Sequence, residues 1–300
     1  MPYRYHTADV FTSDAFGGNQ LAVLPDARGL TEEQMRSIAR EFNYSETVFV
    51  FPPENSKHTR KIRILTPGSE LPFAGHPTVG AAFVLAATGE INLDGEETRI
   101  VFEEGVGPVP VLIKAANSHP TFTQLTAAKI PAMESDKYEP AALAEILSLN
   151  VDDIATQSMS IEAWSAGVPF VFVPVRSRDA LERSRVRLDA WERALKDSIA
   201  PDIFVFVGEG EGVVRARMFA PIMGISEDPA TGGAVAAFAG YIASRSDMTD
   251  GMLRYSIHQG VEMGRPSLLE LEVDVSGGAV KAVRVGGASV LVSSGTLHVP

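Results

Sequence analysis

The chain has no cysteine among its 300 residues, which removes disulfide frameworks, thiol nucleophiles and cysteine-built zinc sites together. Long apolar runs are missing too. The longest, such as PFVFVPV, are far short of a membrane-spanning helix, and the start MPYRYHTADVF has no apolar signal-peptide core, so the expected compartment is the cytoplasm. Positive charge is scarce: 26 Lys and Arg stand against 38 Asp and Glu, for a net charge of -12. With no block of five like charges, the chain lacks the electrostatic footprint of a partner for nucleic acid or anionic lipid. His6, His58, His119, His258 and His298 show no metal-ligand spacing, and neither a phosphate-binding GxxxxGK[ST] loop nor a GxSxG nucleophile motif occurs. No metal and no nucleotide are expected.

What is present is an ordinary globular composition, 45% hydrophobic and 21% charged, enough for one large or two medium domains with their own cores. The chain also repeats itself. VFVF at 48–51 returns as IFVF at 203–206, and PFAGHPTVGAAF at 72–83 falls opposite EDPATGGAVAAF at 227–238, both pairs 155 residues apart. Between them KIRILTP at 61–67 resembles RARMFAP at 215–221, and upstream GNQLAVLPD resembles GVPFVFVPV. Segments repeated in one order predict two homologous halves, about 1–122 and 123–300.

Within each half, periodicity separates two kinds of helix. TEEQMRSIAREF puts Met35, Ile38, Ala39 and Phe42 on one face, with Thr31 as N-cap and Gln34 at the capping-box position, which predicts a surface helix. HPTVGAAFVLAA and PATGGAVAAFAGYIA are apolar all round, the composition of a helix surrounded by other elements. The expected class is α+β, each half wrapping a mixed sheet about a central apolar helix. VGEGEG has glycines at the wrong spacing for a dinucleotide loop and precedes an alternating VVRARMF, so it reads as a hairpin.

Both central helices begin in small residues, Gly75-His76-Pro77-Thr78 and Asp228-Pro229-Ala230-Thr231-Gly232-Gly233. Free N–H groups at such starts, with the positive end of the helix dipole behind them, can hold an anion. If the halves face each other, both starts point into one cleft. His76 and Asp228 stand beside these starts, and Glu46 opens a strand in the first half, where the repeat spacing puts Pro201 opposite it. A substrate carboxylate held by Gly75, Thr231, Gly232 and Gly233, with titratable groups beside it, suits proton abstraction. Each residue also has a plainer reading: Asp228 as an N-cap, His76 as a satisfied turn histidine, Glu46 as a solvated strand edge.

At these residues the chain resembles the phenazine-biosynthesis isomerase-like (PhzF-like) family, of the diaminopimelate epimerase and proline racemase fold group. The resemblance rests on DVFTSDAFGGNQLAVL, NYSETVFV, LPFAGHPTVGAAFVL and SEDPATGGAVAAF in that order. It implies a cofactor-independent isomerase, usually a homodimer, acting on a small cyclic or unsaturated carboxylate. Glu46 would then be the proton shuttle, as in isomerisation of trans-2,3-dihydro-3-hydroxyanthranilate, and His76 and Asp228 the accompanying site residues. Two positions depart from the family. Asn19, a candidate binding residue, is followed by Gln20 where Pro is common, and Gly233 stands where Ser is frequent, which removes a hydroxyl. A non-catalytic small-carboxylate binder and a related lyase are the competing readings.

Overall fold

The computed structural model describes residues 2–134, 137–157 and 159–300. The chain divides into two compact units, one formed by the segment ending at Ala128 together with Val285–Pro300, the other by Lys129–Arg284.

In the first unit the strand Pro2–Val10 pairs antiparallel with Asn19–Leu24 and, on its other side, with the C-terminal strand Ser289–His298. Asn19–Leu24 runs parallel to Glu46–Phe51, which is followed by antiparallel Arg60–Leu65 and then a meander of Glu97–Glu104, Gly107–Ala116 and His119–Thr126. The helix Gly75–Ala87 is buried from Gly75 to Ala86. A helix with apolar residues on every side can be stabilised only by being enclosed, since it has no face suited to water. Gly80 allows the enclosure, because a Cβ there would lie 2.5 Å from both Leu21 Cδ2 and Val10 Cγ2. The helix Glu32–Phe42 covers the outside. Its predicted capping box is present, with Thr31 Oγ1 accepting from Gln34 N–H at 3.2 Å and Gln34 Oε1 accepting from Thr31 N–H at 2.9 Å. Its buried residues Met35, Ile38 and Ala39 pack with Phe49 and Leu65, while Phe42 is only partly buried.

The second unit repeats the plan. Pro169–Pro174 runs parallel to Asp202–Gly210, which pairs antiparallel with Val213–Ala220 through the hairpin expected at VGEGEG. The helix Gly232–Ala243 is the enclosed one, and Gly240 on it would put a Cβ 2.3 Å from the Trp164 ring. Aromatic rings fill the inner face: Phe172, Phe204 and Phe206 lie 4.9–5.6 Å from Phe238. On the other face Ile203 and Val205 pack with Leu181 and Trp191 from the short helices Arg178–Arg183 and Leu188–Ala194.

Strand pairing corrects one detail of the repeat. Phe49 faces the outer helix of its unit, so Glu46, Val48 and Val50 face the enclosed helix. In the second unit the inward residues are Phe204 and Phe206, and therefore Asp202. The ladders agree, since Leu21 pairs with Glu46 as Phe170 pairs with Asp202, and Val48 with Ile64 as Phe204 with Met218. The residue structurally equivalent to Glu46 is Asp202, not Pro201.

Candidate functional site

In the first unit Glu46 and His76 come together although 30 positions separate them in the chain. Glu46 is the first residue of its strand and His76 the second of the enclosed helix, and both are buried, at 8% and 4% exposure. His76 Nε2 lies 3.5 Å from Glu46 Oε2. The contact is not an ion pair, because burial drives the imidazole pKa from 6.5 to about 3, with the Gln20 backbone acting in the opposite direction. Asn19 Nδ2 stands 3.2 Å from His76 Nδ1. Nε2, the ring atom nearest Glu46, is buried and makes no hydrogen bond among the described residues, so the two side chains are in contact at 3.5 Å without being hydrogen-bonded. A neutral histidine beside a carboxyl group can donate a hydrogen bond to it or to a ligand, and it adds no positive charge.

The turn ahead of Asn19 is fixed by close packing. Asp9 Oδ2 accepts the Phe16 N–H at 2.6 Å, and Gly18 takes φ 58 with a Cβ position only 2.3 Å from the Val10 carbonyl oxygen, a place glycine alone can occupy. Asn19 is 1% exposed at the end of this turn.

The helix start has a second buried acid that sequence reasoning did not single out. Thr78 Oγ1 lies 2.8 Å from the Ala74 carbonyl and 2.7 Å from Glu104 Oε1. A hydroxyl has one proton, so when Thr78 donates it to Ala74 the contact with Glu104 needs a proton from the carboxyl. Burial pushes the Glu104 pKa up to about 8, against a smaller opposing effect of Thr78, so the acid is neutral at physiological pH. The same turn holds the chain before the helix, with Val106 N–H donating to the Pro72 carbonyl at 3.0 Å. Its only sequence signal is the paired Glu103-Glu104 ahead of Gly105.

In the second unit Asp228 ends the strand Ile225–Asp228 and is 6% exposed. Its Oδ2 accepts the Thr231 hydroxyl at 2.5 Å, while Gln259 Nε2 donates to the Asp228 carbonyl at 2.7 Å and contacts Thr231 Oγ1 at 3.0 Å. Neither enclosed helix has a side-chain N-cap bond, so backbone N–H groups of Gly75 in one unit and of Gly232 and Gly233 in the other remain without an intrahelical acceptor. Gly233 is spacious: a Cβ there would touch only the Phe170 ring, at 3.9 Å. Asp202 is 2% exposed, with its pKa raised to about 7 by burial and then by the charge of Asp228.

A concavity of about 880 Å³ in the first unit is lined by none of the sequence-predicted site residues. Its polar side chains contact one another, Lys61 with Glu54, Arg63 with Glu70 and His58 with Glu103, at 2.5–2.9 Å. Among the described residues no three or more His, Asp or Glu side chains gather as a metal site, and no helix is long and apolar enough to cross a membrane.

Two units, each enclosing an apolar helix in a mixed sheet, define the epimerase and racemase class of fold. The solved hydroxyproline epimerase of Agrobacterium vitis shares it at a TM-score of 0.66 and 13% identity, covering 99% of this chain and 91% of that one. Within that class the chain belongs to the PhzC-PhzF family, described as phenazine biosynthesis-like protein, whose family model matches residues 8–295. It is 42% identical to an uncharacterized isomerase of Mesorhizobium japonicum, over 98% of both chains. It is 35% identical to the trans-2,3-dihydro-3-hydroxyanthranilate isomerase of Pseudomonas aeruginosa, over 99% of both. The solved PhzF-family phenazine biosynthesis protein of Bacillus anthracis superposes with a TM-score of 0.89 at 26% identity, covering both chains completely.

Proposed function

We propose that the protein is an isomerase that moves a proton within a small cyclic or unsaturated carboxylate, using Glu46 as the acid/base and no resident metal or organic cofactor. The observation that carries this reading is the buried Glu46 and neutral His76 at 3.5 Å beside a helix start without a side-chain cap. Relatives named isomerases across the whole chain support it. The Glu46 carboxylate takes a proton from a carbon next to the unsaturated system and returns it at another carbon, so that the product is an isomer and the enzyme is unchanged. His76, packed 3.5 Å from Glu46, restricts the position of its carboxyl group during both transfers. Asp228 is the further charged participant, with Thr231 fixing its orientation. The backbone N–H groups of Gly75, Gly232 and Gly233 are the proposed partners for the substrate carboxylate, and Asn19 contributes by holding His76.

Gly233 favours a substrate other than the phenazine precursor, since the hydroxyl frequent at that position in the family is missing here. The test is a panel of cyclic and unsaturated carboxylates, trans-2,3-dihydro-3-hydroxyanthranilate among them, followed by proton NMR in deuterated water. Isomerisation with deuterium entering the product supports the reading. Saturable binding of a panel member without turnover or exchange would replace it with a non-catalytic binder.

A further inference from the structure

Asp202 opens the strand Asp202–Gly210, and its Oδ1 reaches neither solvent nor a hydrogen-bond partner. Its place is held by its neighbours: Trp191 Nε1 donates to the Pro201 carbonyl at 2.8 Å, and Asp202 itself pairs with Phe170 in the parallel ladder. Directly opposed residues of a ladder share a face. Asp202 shares the inner face with Phe204, Phe204 opposes Met218 and Met218 opposes Asp228, so both acids belong to the side that meets the enclosed helix. The inner face also carries Phe170, Phe172, Phe204, Phe206 and Met218, with the Thr231 and Gln259 side chains alongside Asp228. The ion pair of Arg217 with Glu227 belongs to the opposite face, where Arg217 also donates to the carbonyls of Leu181 and Ser184. Among the described residues nothing donates to Asp202 Oδ1, so an ionised Asp202 would be unsatisfied there and would repel Asp228.

We infer that Asp202 is a positioning residue of the second unit, the equivalent of Glu46, and that it retains its proton so that the two acids carry a single negative charge placed on Asp228. The inference rests on the reading of Asp228 as a participant in the reaction. Two carboxyl groups that interact across an apolar face titrate as a pair, and the one with fewer donors keeps the proton. Asp228, which accepts the Thr231 hydroxyl, is the one left charged. Replacing Asp202 by a neutral amide of the same shape should preserve the packing and remove one titration.

The intact protein labelled with carboxyl-¹³C aspartate tests this without any substrate. One aspartate signal is expected to titrate near neutral pH, to vanish in Asp202→Asn, and to titrate at clearly lower pH in Asp228→Asn. If Asp202→Asn does not fold, Asp202→Glu assigns the signal, because the glutamate leaves the labelled set. A signal for Asp202 in the ordinary aspartate range, or one indifferent to Asp228→Asn, overturns the inference. On a substrate that is turned over, Asp202→Asn should lower kcat about tenfold with KM nearly unchanged and erase a limb of the pH–rate profile near neutrality. A limb that persists overturns the positioning role. Absence of any turnover counts against the isomerase reading and leaves the labelled-aspartate result to decide the pairing.

Discussion

The two units place an acid at the same point, the first inward position of the strand that runs alongside the enclosed helix, and give it different neighbours. Glu46 meets an imidazole that burial keeps neutral, and Asp202 meets a second carboxyl group. A neutral imidazole puts no negative charge beside the first acid, which suits a group that must accept and return a proton. Burial first, and then the charge of Asp228, raises the pKa of the second acid. On the proposed reading, the same framework would carry a mobile proton site in one unit and a fixed charge in the other, through the identity of one neighbouring side chain in each. The widest test of this contrast is Glu46→Gln. The amide is isosteric, so the fold should persist, while turnover should fall about 10²–10⁴-fold, the usual worth of general acid–base catalysis. Unchanged turnover would move the chemistry to the other unit.

The first helix start is built from groups that are neutral when folded, and this gives it two opposite pH slopes. Glu104 keeps its proton up to about pH 8 in the folded chain, well above the ordinary range for a glutamate. Below the unfolded pKa both states are protonated and its contribution is complete. As pH rises toward 8 the unfolded chain gains by ionising and stability falls, by about 5 kcal/mol in all. Denaturant midpoints across that range should show a less negative pH slope in Glu104→Gln than in the native protein, by the Glu104 component. An equal slope in both would mean that Glu104 ionises in place.

His76 acts in the other direction. Its folded pKa, about 3, lies below the unfolded value, so the unfolded chain takes up a proton first as pH falls through 6.5. Stability should drop by about 2–3 kcal/mol on reaching about pH 4.5, and His76→Gln should remove that component. A histidine that titrates normally in ¹⁵N spectra of the folded protein would contradict the neutral pair with Glu46.

Much of this arrangement was legible in the sequence, and the gaps have physical reasons. The enclosed helices at Gly75–Ala87 and Gly232–Ala243 followed from apolar residues on all sides, and the outer helix from a capping box that the structure contains. The equivalence of Asp202 with Glu46 did not follow. VFVF and IFVF are strands buried on both faces, which carry no alternation to show which residues point inward, so a match of letters could slip by one residue unnoticed. Only the packing of Phe49 on the outer helix and of Phe204 on Phe238 fixed the facing. Glu104 was hidden for a related reason, since it sits on a hairpin whose alternation is satisfied whether an acid at the turn faces water or a helix end. The encounter of Glu46 with His76 depends on a parallel pairing and a helix start that no local pattern encodes.

The smallest expected effect, Gly233→Ser, asks whether the second unit could regain what the first does not supply. A Cβ at this position makes ordinary contact with the Phe170 ring at 3.9 Å, and the residue is not in the left-handed region, so the serine should fit without strain. The exchange of Gly for Ser near a helix start also reduces the freedom of the unfolded chain, and stability should change by less than about 0.5–1 kcal/mol. The added hydroxyl would stand beside the N–H groups of the first turn and offer one more hydrogen bond to a bound carboxylate, worth about 0.5–1.5 kcal/mol, or up to about tenfold in affinity. Titration of trans-2,3-dihydro-3-hydroxyanthranilate against the native and Gly233→Ser proteins is the direct comparison. Tighter binding in the variant, with no change for a carboxylate that lacks a second polar group, would show that the missing hydroxyl sets the substrate preference. Equal binding of both compounds would place the selectivity elsewhere, in side chains of the first unit such as Asn19.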